Sequence, residues 1–440
     1  MEKKIIFDFE DALVGRQEIQ KEGARLIPLI QEIKSKLACG YQTEYASLHT
    51  PSDLELLGKV SVVIEKKKKL SPQVLIVIGI GGSNLGTIAV HKALQGDFYN
   101  EKNNGALKVY FADTVDSDYL ENIVQLVECD LKDGKNILLN IVTKSGTTTE
   151  TIVNFEIFFE LLKKHRPDNY NDYIVITTDN GSPLWEYANQ NNIDCLEVPK
   201  RVGGRFSVFS PVGLFPLGFL GIDIKLLLDG AGSIINGCLV EDIFANPAAV
   251  SASIIFYHYK KGANIHDTFV FSKYLRNFGQ WYRQLVGESV GKKFDKAGDL
   301  VEVGVTPTVS VGTVDLHSVA QLYLGGPQDK FTTFVTVKPK SQIYVPNIDA
   351  FNMFVQNVQG KSVSFIMDSI FGGVTAAYKN DGRPFASVSL PVVNEYFVGQ
   401  LLQWKMLEII YLGELLNVNP FDQPQVELYK KETRKLLKEN

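Results

Sequence analysis

From residue 74 to residue 198 the chain alternates short β-branched runs with longer amphipathic ones. That alternation restricts it to strand–helix–strand units wound into a parallel sheet. The runs that predict strands cover 74–78, 108–112, 136–142, 173–177 and 195–198. Between them, 85–94, 118–127, 148–163 and 183–191 have helical spacing, several entered through Ser, Thr, Asp or Asn, whose side chains cap the free N–H groups of a helix start. A first doubly wound α/β domain is expected over 53–211, with 1–52 as a helical segment packed on a larger neighbour. After Pro211 the rhythm weakens. Strands are still predicted at 266–272, 299–305 and 331–337, and helices at 274–286 and 316–324, giving a second α/β domain over 212–410. Residues 394–416 read as one long apolar-faced helix, and 425–438 as a charged amphipathic helix in a C-terminal arm assigned to 411–440.

At 440 residues, 45% hydrophobic and 22% charged, the chain has enough apolar material for two cores. A net charge of -5 gives no electrostatic reason to bind nucleic acid or an acidic membrane, so any anionic ligand must be held by a local site. Cys39, Cys129, Cys195 and Cys238 have no C-x-x-C spacing, which excludes a zinc ribbon or a disulfide framework and fits reduced thiols. The opening MEKKIIFDFED interrupts its apolar residues with acids and offers no signal-peptide core. The most apolar stretch, 212–228, is broken by Gly213, Pro216, Gly218, Gly221 and Asp223 and falls short of a membrane span. A cytoplasmic protein follows, without membrane or nucleic-acid partner. The lysines at 66–69 read as the solvated end of a helix.

Two segments carry chemistry. The first predicted strand ends in Gly79-Ile80-Gly81-Gly82-Ser83-Asn84-Leu85-Gly86 and passes into a helix, where backbone N–H groups and the helix dipole hold anions. A dinucleotide fingerprint needs glycine where Asn84 stands, which argues against a nucleotide-dependent oxidoreductase. The third strand leads to Thr143-Lys144-Ser145-Gly146-Thr147-Thr148-Thr149-Glu150-Thr151. One or two of these hydroxyls suffice to cap a helix, whereas a phosphate dianion takes several donors at once. Two such helix entrances at neighbouring strands make a crevice for a phosphorylated sugar.

The pair GIGGS and TKSGTTTET resembles the sugar isomerase domains of the phosphoglucose isomerase family. Val202-Gly203-Gly204-Arg205-Phe206-Ser207 is similar to one signature of that family, and Phe421-Asp422-Gln423-Pro424-Gln425-Val426-Glu427-Leu428-Tyr429-Lys430 to the other. Gln284-Leu285-Val286-Gly287-Glu288-Ser289 and Asp315-Leu316-His317 lie between them in the family's order. Gln425 stands where the family usually has glycine, and Lys200 and Arg201 where it usually has an acidic or amide residue.

The resemblance implies two doubly wound sugar-isomerase-type domains with mainly parallel sheets. It also implies aldose–ketose isomerisation of a hexose 6-phosphate through ring opening and an enediolate, without metal or cofactor. Glu288, read here as lying in a turn after an apolar helix, is the implied base that moves a proton between carbon 2 and carbon 1. Arg205, brought close by Gly203 and Gly204, is the fixed charge for the enediolate. His317 and Lys430 are implied ring-opening groups, with His317 reaching the site from the partner subunit of a homodimer. Gly82, Ser83, Lys144, Ser145, Thr147 and Thr148 would bind the phosphate, and Gln284 and Gln423 the sugar. The rival is a non-catalytic sugar-phosphate-binding regulator, which needs the phosphate loops but not Glu288, Arg205, His317 and Lys430 together.

Overall fold

The computed structural model describes residues 4–102 and 107–439. A short strand β1 (Ile6–Asp8) precedes two helices, Arg16–Ala24 and Ile27–Lys36. The first α/β unit contributes β2 (Val74–Ile78), β3 (Lys108–Ala112), β4 (Ile137–Val142), β5 (Ile174–Thr178) and β6 (Asp194–Glu197), all parallel in the order β3-β2-β4-β5-β6. β2, β4 and β5 are buried along their whole length. Sheets covered by helices on both faces require such apolar runs, and these were the strands the sequence marked most clearly. From β2 the chain winds first to one side, to β3, and then crosses to the other, to β4. The reversal of direction therefore falls between β2 and β4.

The second unit holds β7 (Ile265–Val270), the hairpin β8 (Lys292–Phe294) and β9 (Leu300–Val303), then β10 (Thr306–Val311), β11 (Lys330–Val337) and β12 (Phe385–Leu390). Its sheet runs β1-β12-β11-β7-β10, parallel except for β1. Three expectations are corrected here. The strand predicted at 299–305 is an antiparallel hairpin arm, not part of the main sheet. The helix predicted at 316–324 shrinks to Ala320–Gly325, so His317 stands before it. Lys67 is not solvated: its side chain is 1% exposed and pairs with Asp194 at 2.8 Å.

The helix Leu54–Lys68 packs on Pro211–Phe219, and Leu85–Gln95 packs on Arg276–Val290. One hydrophobic core therefore runs from Leu75 and Val77 through Leu214 and Leu227 to Leu401 and Leu407. The helix Arg16–Ala24 lies on Pro247–Lys260, and Glu395–Leu415 is buried almost throughout against Ile224–Ile235. The apolar stretch around 212–228 is split between Pro211–Phe219 and Ile224–Ile235, both packed in this core. Among the described residues no helix is long and apolar enough to cross a membrane.

Candidate active site

Eight helices here close their N-termini with a side chain: Asp53, Asp116, Ser182, Ser210, Asp223, Asn246, Ser362 and Asn394 each accept a bond from their own first turn. The two helices that follow β2 and β4 do not. Neither Asn84 nor Thr148 caps its helix, so the N–H groups of both first turns remain for another acceptor. The Asn84 amide instead donates to the Gly79 carbonyl at 3.1 Å, bracing the glycine loop. The Thr148 hydroxyl lies 2.9 Å from that of Thr143, and Ser145 Oγ accepts from the amide and hydroxyl of Thr147 at 3.3 and 3.2 Å. Ser83, Ser145, Thr147 and Thr148 thus gather on two loops at the switch point between β2 and β4.

Lys144 stands on the second of these loops. Its ammonium donates to the carbonyls of Lys200 and Val202, at 2.5 and 3.1 Å, and ties the threonine loop to the segment before Arg205. Burial pulls its pKa below the ordinary lysine value, with Asp179 acting against the shift. Lys200 and Arg201 remain exposed beside it.

Gly82 meets the second half of the site. A Cβ there would come within 2.3 Å of the Gly204 carbonyl carbon and 2.6 Å of the Arg205 nitrogen, so only glycine permits this backbone approach. Ser207 adds a bond from its hydroxyl to the Gly82 carbonyl at 3.3 Å. Arg205, in the tight turn Gly204–Phe206, has a side chain only 1% exposed. Burial lowers its pKa, and Glu288 and Asp422 oppose that shift.

Glu288 sits in the last turn of the helix Arg276–Val290, which ends at Gly291; the turn expected around Gly287 and Ser289 is helix. The packing of this helix on β10 carries it past Gly287, and Gln284 one turn earlier then faces Glu288 and donates to its Oε1 at 3.0 Å. Arg205 Nη1 lies 3.3 Å from Glu288 Oε2 and also donates to Gln423 Oε1. The backbone thus brings Gly82, Arg205, Gln284, Glu288 and Gln423 together from four separate stretches of chain. A carboxylate next to a fixed guanidinium can take and return a proton while the cation holds negative charge on a neighbouring oxygen.

His317 and Lys430 are not brought together with them. The helix Arg276–Val290 runs back from the carboxyl end of β7, and Glu288 lies twelve residues into it, about 18 Å of helix rise from its start. His317 is exposed at the opposite end of the same sheet, just after β10. Lys430 pairs with Glu427 of its own helix at 2.9 Å.

Sequence reasoning missed Ser289, Lys292 and Asp422. Ser289 accepts from Arg205 Nε at 2.7 Å, and Lys292 donates to Asp422 Oδ1 at 2.8 Å. The one signal in the sequence for Lys292 is its place directly behind an apolar helix. Among the described residues no three His, Cys, Asp or Glu side chains gather as a metal-binding group.

Residues 67–440 match the family model described as phosphoglucose isomerase. A glucose-6-phosphate isomerase of Carboxydothermus hydrogenoformans is 35% identical over 368 residues, covering 82% of this chain and 78% of its own. Another, from Methanocaldococcus jannaschii, is 34% identical over 408 residues, covering 91% and 94%. The crystal structure of a glucose-6-phosphate isomerase from Chlamydia trachomatis shares the fold, with a TM-score of 0.81 at 20% identity, across 99% of this chain and 89% of that one. With a family model spanning most of its length and relatives of this similarity, the chain belongs to the phosphoglucose isomerase family.

Proposed function

We propose that the chain interconverts glucose 6-phosphate and fructose 6-phosphate, the step shared by glycolysis and gluconeogenesis, without metal or cofactor. One observation carries the proton-transfer chemistry: the Glu288 carboxylate is held between Gln284 and the buried Arg205 beside the glycine loop. The phosphate group docks on the uncapped helix starts at Leu85 and Thr149, with Ser83, Ser145, Thr147 and Thr148 as hydroxyl donors. Glu288 then takes the proton from carbon 2 of the open-chain aldose. The electron pair moves into a carbon 1–carbon 2 enediolate, whose negative oxygen Arg205 Nη1 stabilises; the hydroxyl proton passes from oxygen 2 to oxygen 1, and Glu288 returns its proton to carbon 1 to give the ketose. Gln284 and Gln423 fix the carboxylate and guanidinium edges that face the sugar.

His317 and Lys430 open the sugar ring in this reading, and His317 acts in the site of a second copy of the chain. Three features support a homodimer. His317 is exposed and remote from Glu288 along the helix, as above. Ile343, Phe351, Met353, Phe354 and Phe365 form exposed apolar surface. The terminal helix Val426–Glu439 buries none of its residues and leaves Leu428, Tyr429, Leu436 and Leu437 exposed, with Tyr429 and Leu436, two turns apart, on one face. The cytoplasm is the compartment that suits this reaction, and 53–211 and 212–410 are its two sugar isomerase domains.

The test is a coupled assay of the purified chain with fructose 6-phosphate, repeated with Glu288→Gln. The parent should turn over. The variant should lose about 10²–10⁴ in kcat and stop exchanging the carbon 2 hydrogen of glucose 6-phosphate with solvent deuterium. Near-parent turnover by Glu288→Gln removes Glu288 as the base, and an inert parent favours the sugar-phosphate-binding regulator.

A further inference from the structure

A guanidinium has five N–H donors, and Arg205 spends all of them. Nε donates to Ser289 Oγ at 2.7 Å. Both hydrogens of Nη2 go to main-chain carbonyls of one short strap, Pro420 at 2.5 Å and Asp422 at 3.0 Å. Only Nη1 faces side chains that a ligand can displace, Glu288 and Gln423. The reactive edge of Arg205 is therefore set by where the strap 419–423 stands.

The strap has few means of holding itself. Asn419 braces it from within, through Asn419 Oδ1 to the Phe421 amide at 3.0 Å and Asn419 Nδ2 to Asp422 Oδ2 at 3.1 Å. Phe421 packs its ring 5.7 Å from those of Phe206 and Tyr45. A further anchor is Lys292, whose side chain is 4% exposed. Its ammonium donates to Asp422 twice, to the carbonyl oxygen at 2.5 Å and to Oδ1 at 2.8 Å. The carbonyl that fixes Arg205 Nη2 is thus the one that Lys292 grips.

The charges alternate along this chain of contacts as Glu288, Arg205, Asp422, Lys292. Among the described residues Lys292 is the one ion-pair partner of the Asp422 carboxylate; without it that half-exposed carboxylate, beside Arg205, competes with Glu288 and with any substrate oxyanion for the guanidinium. Burial depresses the pKa of Lys292, and Asp422, bonded to it, opposes the shift.

We propose that Lys292 is a positioning residue for the isomerisation: by holding the carbonyl and carboxylate of Asp422 together, it fixes the strap that aims Arg205 Nη1 at the enediolate. This rests on the functional reading above, so the parent's turnover of fructose 6-phosphate is measured first, and an inert parent overturns both.

The variants are Lys292→Met, Lys292→Arg and Asp422→Asn, each checked for cooperative unfolding. Each is assayed for kcat and KM. Binding is measured for two unreactive ligands: a sugar-alcohol phosphate, which has only hydroxyls at the reacting carbons, and an aldonate phosphate, whose carboxylate imitates the enediolate charge. Lys292→Met should lower kcat and aldonate phosphate affinity together, by about 10-fold to 10²-fold, since a misplacement near 1 Å costs about 10². Its affinity for the sugar-alcohol phosphate should stay within about threefold of the parent, and Lys292→Arg should recover most of the loss. A folded Lys292→Met with parental kcat overturns the proposal. So does an equal loss of affinity for both ligands, which a general structural defect would give. Asp422→Asn keeps the carbonyl and the shape and lies half exposed, so it decides the matter if Lys292→Met does not fold. A several-fold loss of kcat with unchanged sugar-alcohol phosphate affinity supports the proposal, and an unchanged kcat overturns it.

Discussion

Gly82→Ala probes the closest approach in the site. The new Cβ would stand 2.3 Å from the Gly204 carbonyl carbon, 2.6 Å from the Arg205 nitrogen and 2.7 Å from the Gly204 oxygen, where ordinary contact begins near 3.4 Å. All three atoms are backbone, so no side chain can swing away. The glycine loop and the Arg205 turn must part by about 1 Å, and overpacking of that kind costs about 1–3 kcal/mol. Catalysis should suffer more than stability. The same displacement moves the loop that receives the phosphate away from the turn that carries Arg205, and about 1 Å between bound group and catalytic group is worth roughly 10² in rate. The expected result is a roughly 10²-fold fall in kcat/KM in the coupled assay, with a melting temperature lowered by a few degrees. Gly203→Ala is the control, because its Cβ would meet only the edge of the Phe206 ring at 3.6 Å. It should stay within about threefold of the parent. If Gly82→Ala keeps parental kcat/KM, the two backbones need not touch for the site to work, and the reasoning fails.

Other outcomes follow from the same geometry. Replacing Ser145 and Thr148 together by Ala should raise KM by at least about tenfold with a smaller change in kcat, since each hydroxyl's bond to a dianion is worth about 1.5–3 kcal/mol; unchanged KM would put the phosphate elsewhere. Asp267, in the middle of β7, has its carboxyl pushed up to about 6 by burial, against the pull of bonds from Thr308, Ser310 and Tyr323, and with Asp315 adding to the rise. Its proton is held more tightly folded than unfolded, so its contribution to stability is full below about pH 4 and is lost as pH rises through 6. Asp267→Asn should therefore gain on the parent by roughly 3 kcal/mol between pH 4 and pH 7 in urea unfolding, and a constant difference across that range would contradict the sign. Gly58→Ala, mid-helix in Leu54–Lys68 with nothing within 4 Å of the added carbon, should stabilise by about 0.5–1 kcal/mol and leave turnover unchanged.

The first sheet could be read directly from the sequence because burial on both faces forces unbroken apolar runs; the limits of β2 and β3 are those expected, and β4, β5 and β6 shift by one residue. The second sheet hid three of its strands, the first being β1, which lies in the 1–52 segment expected to be helical and pairs with β12. β10 is Thr-Pro-Thr-Val-Ser-Val, whose proline is tolerated because the strand forms the sheet's edge and whose hydroxyls serve Asp267. β12 alternates serine with apolar residues, one of them bonding Thr336 across the sheet at 2.7 Å. The helix Val363–Asn380 was overlooked because Gly372 and Gly373 break its pattern. Gly287 misled in the same way at Glu288, where the packing of Arg276–Val290 on β10 carries the helix past the glycine.

At the site, legibility follows the kind of atom that does the work. The glycines and hydroxyls of the two loops are side-chain choices, and Arg205, Gln284, Glu288 and Gln423 are side chains too, so a sequence can display them. The positions of Lys144 and of the Arg205 guanidinium are fixed instead by main-chain carbonyls, at Lys200 and Val202 in one case and at Pro420 and Asp422 in the other. A carbonyl has no letter of its own. Every residue carries one, and only the path of the chain decides which of them meets a cation. That is why Lys144 could be counted among the phosphate ligands from its motif, while its tether to the segment before Arg205 could not be foreseen. The consequence reaches the departures at Lys200, Arg201 and Gln425. Lys200 meets Lys144 through its backbone as well as through its charge, which helps to lower the Lys144 pKa, and Gln425 stands just past the strap that fastens Arg205, so substitutions at these two places can act on the site through the course of the main chain.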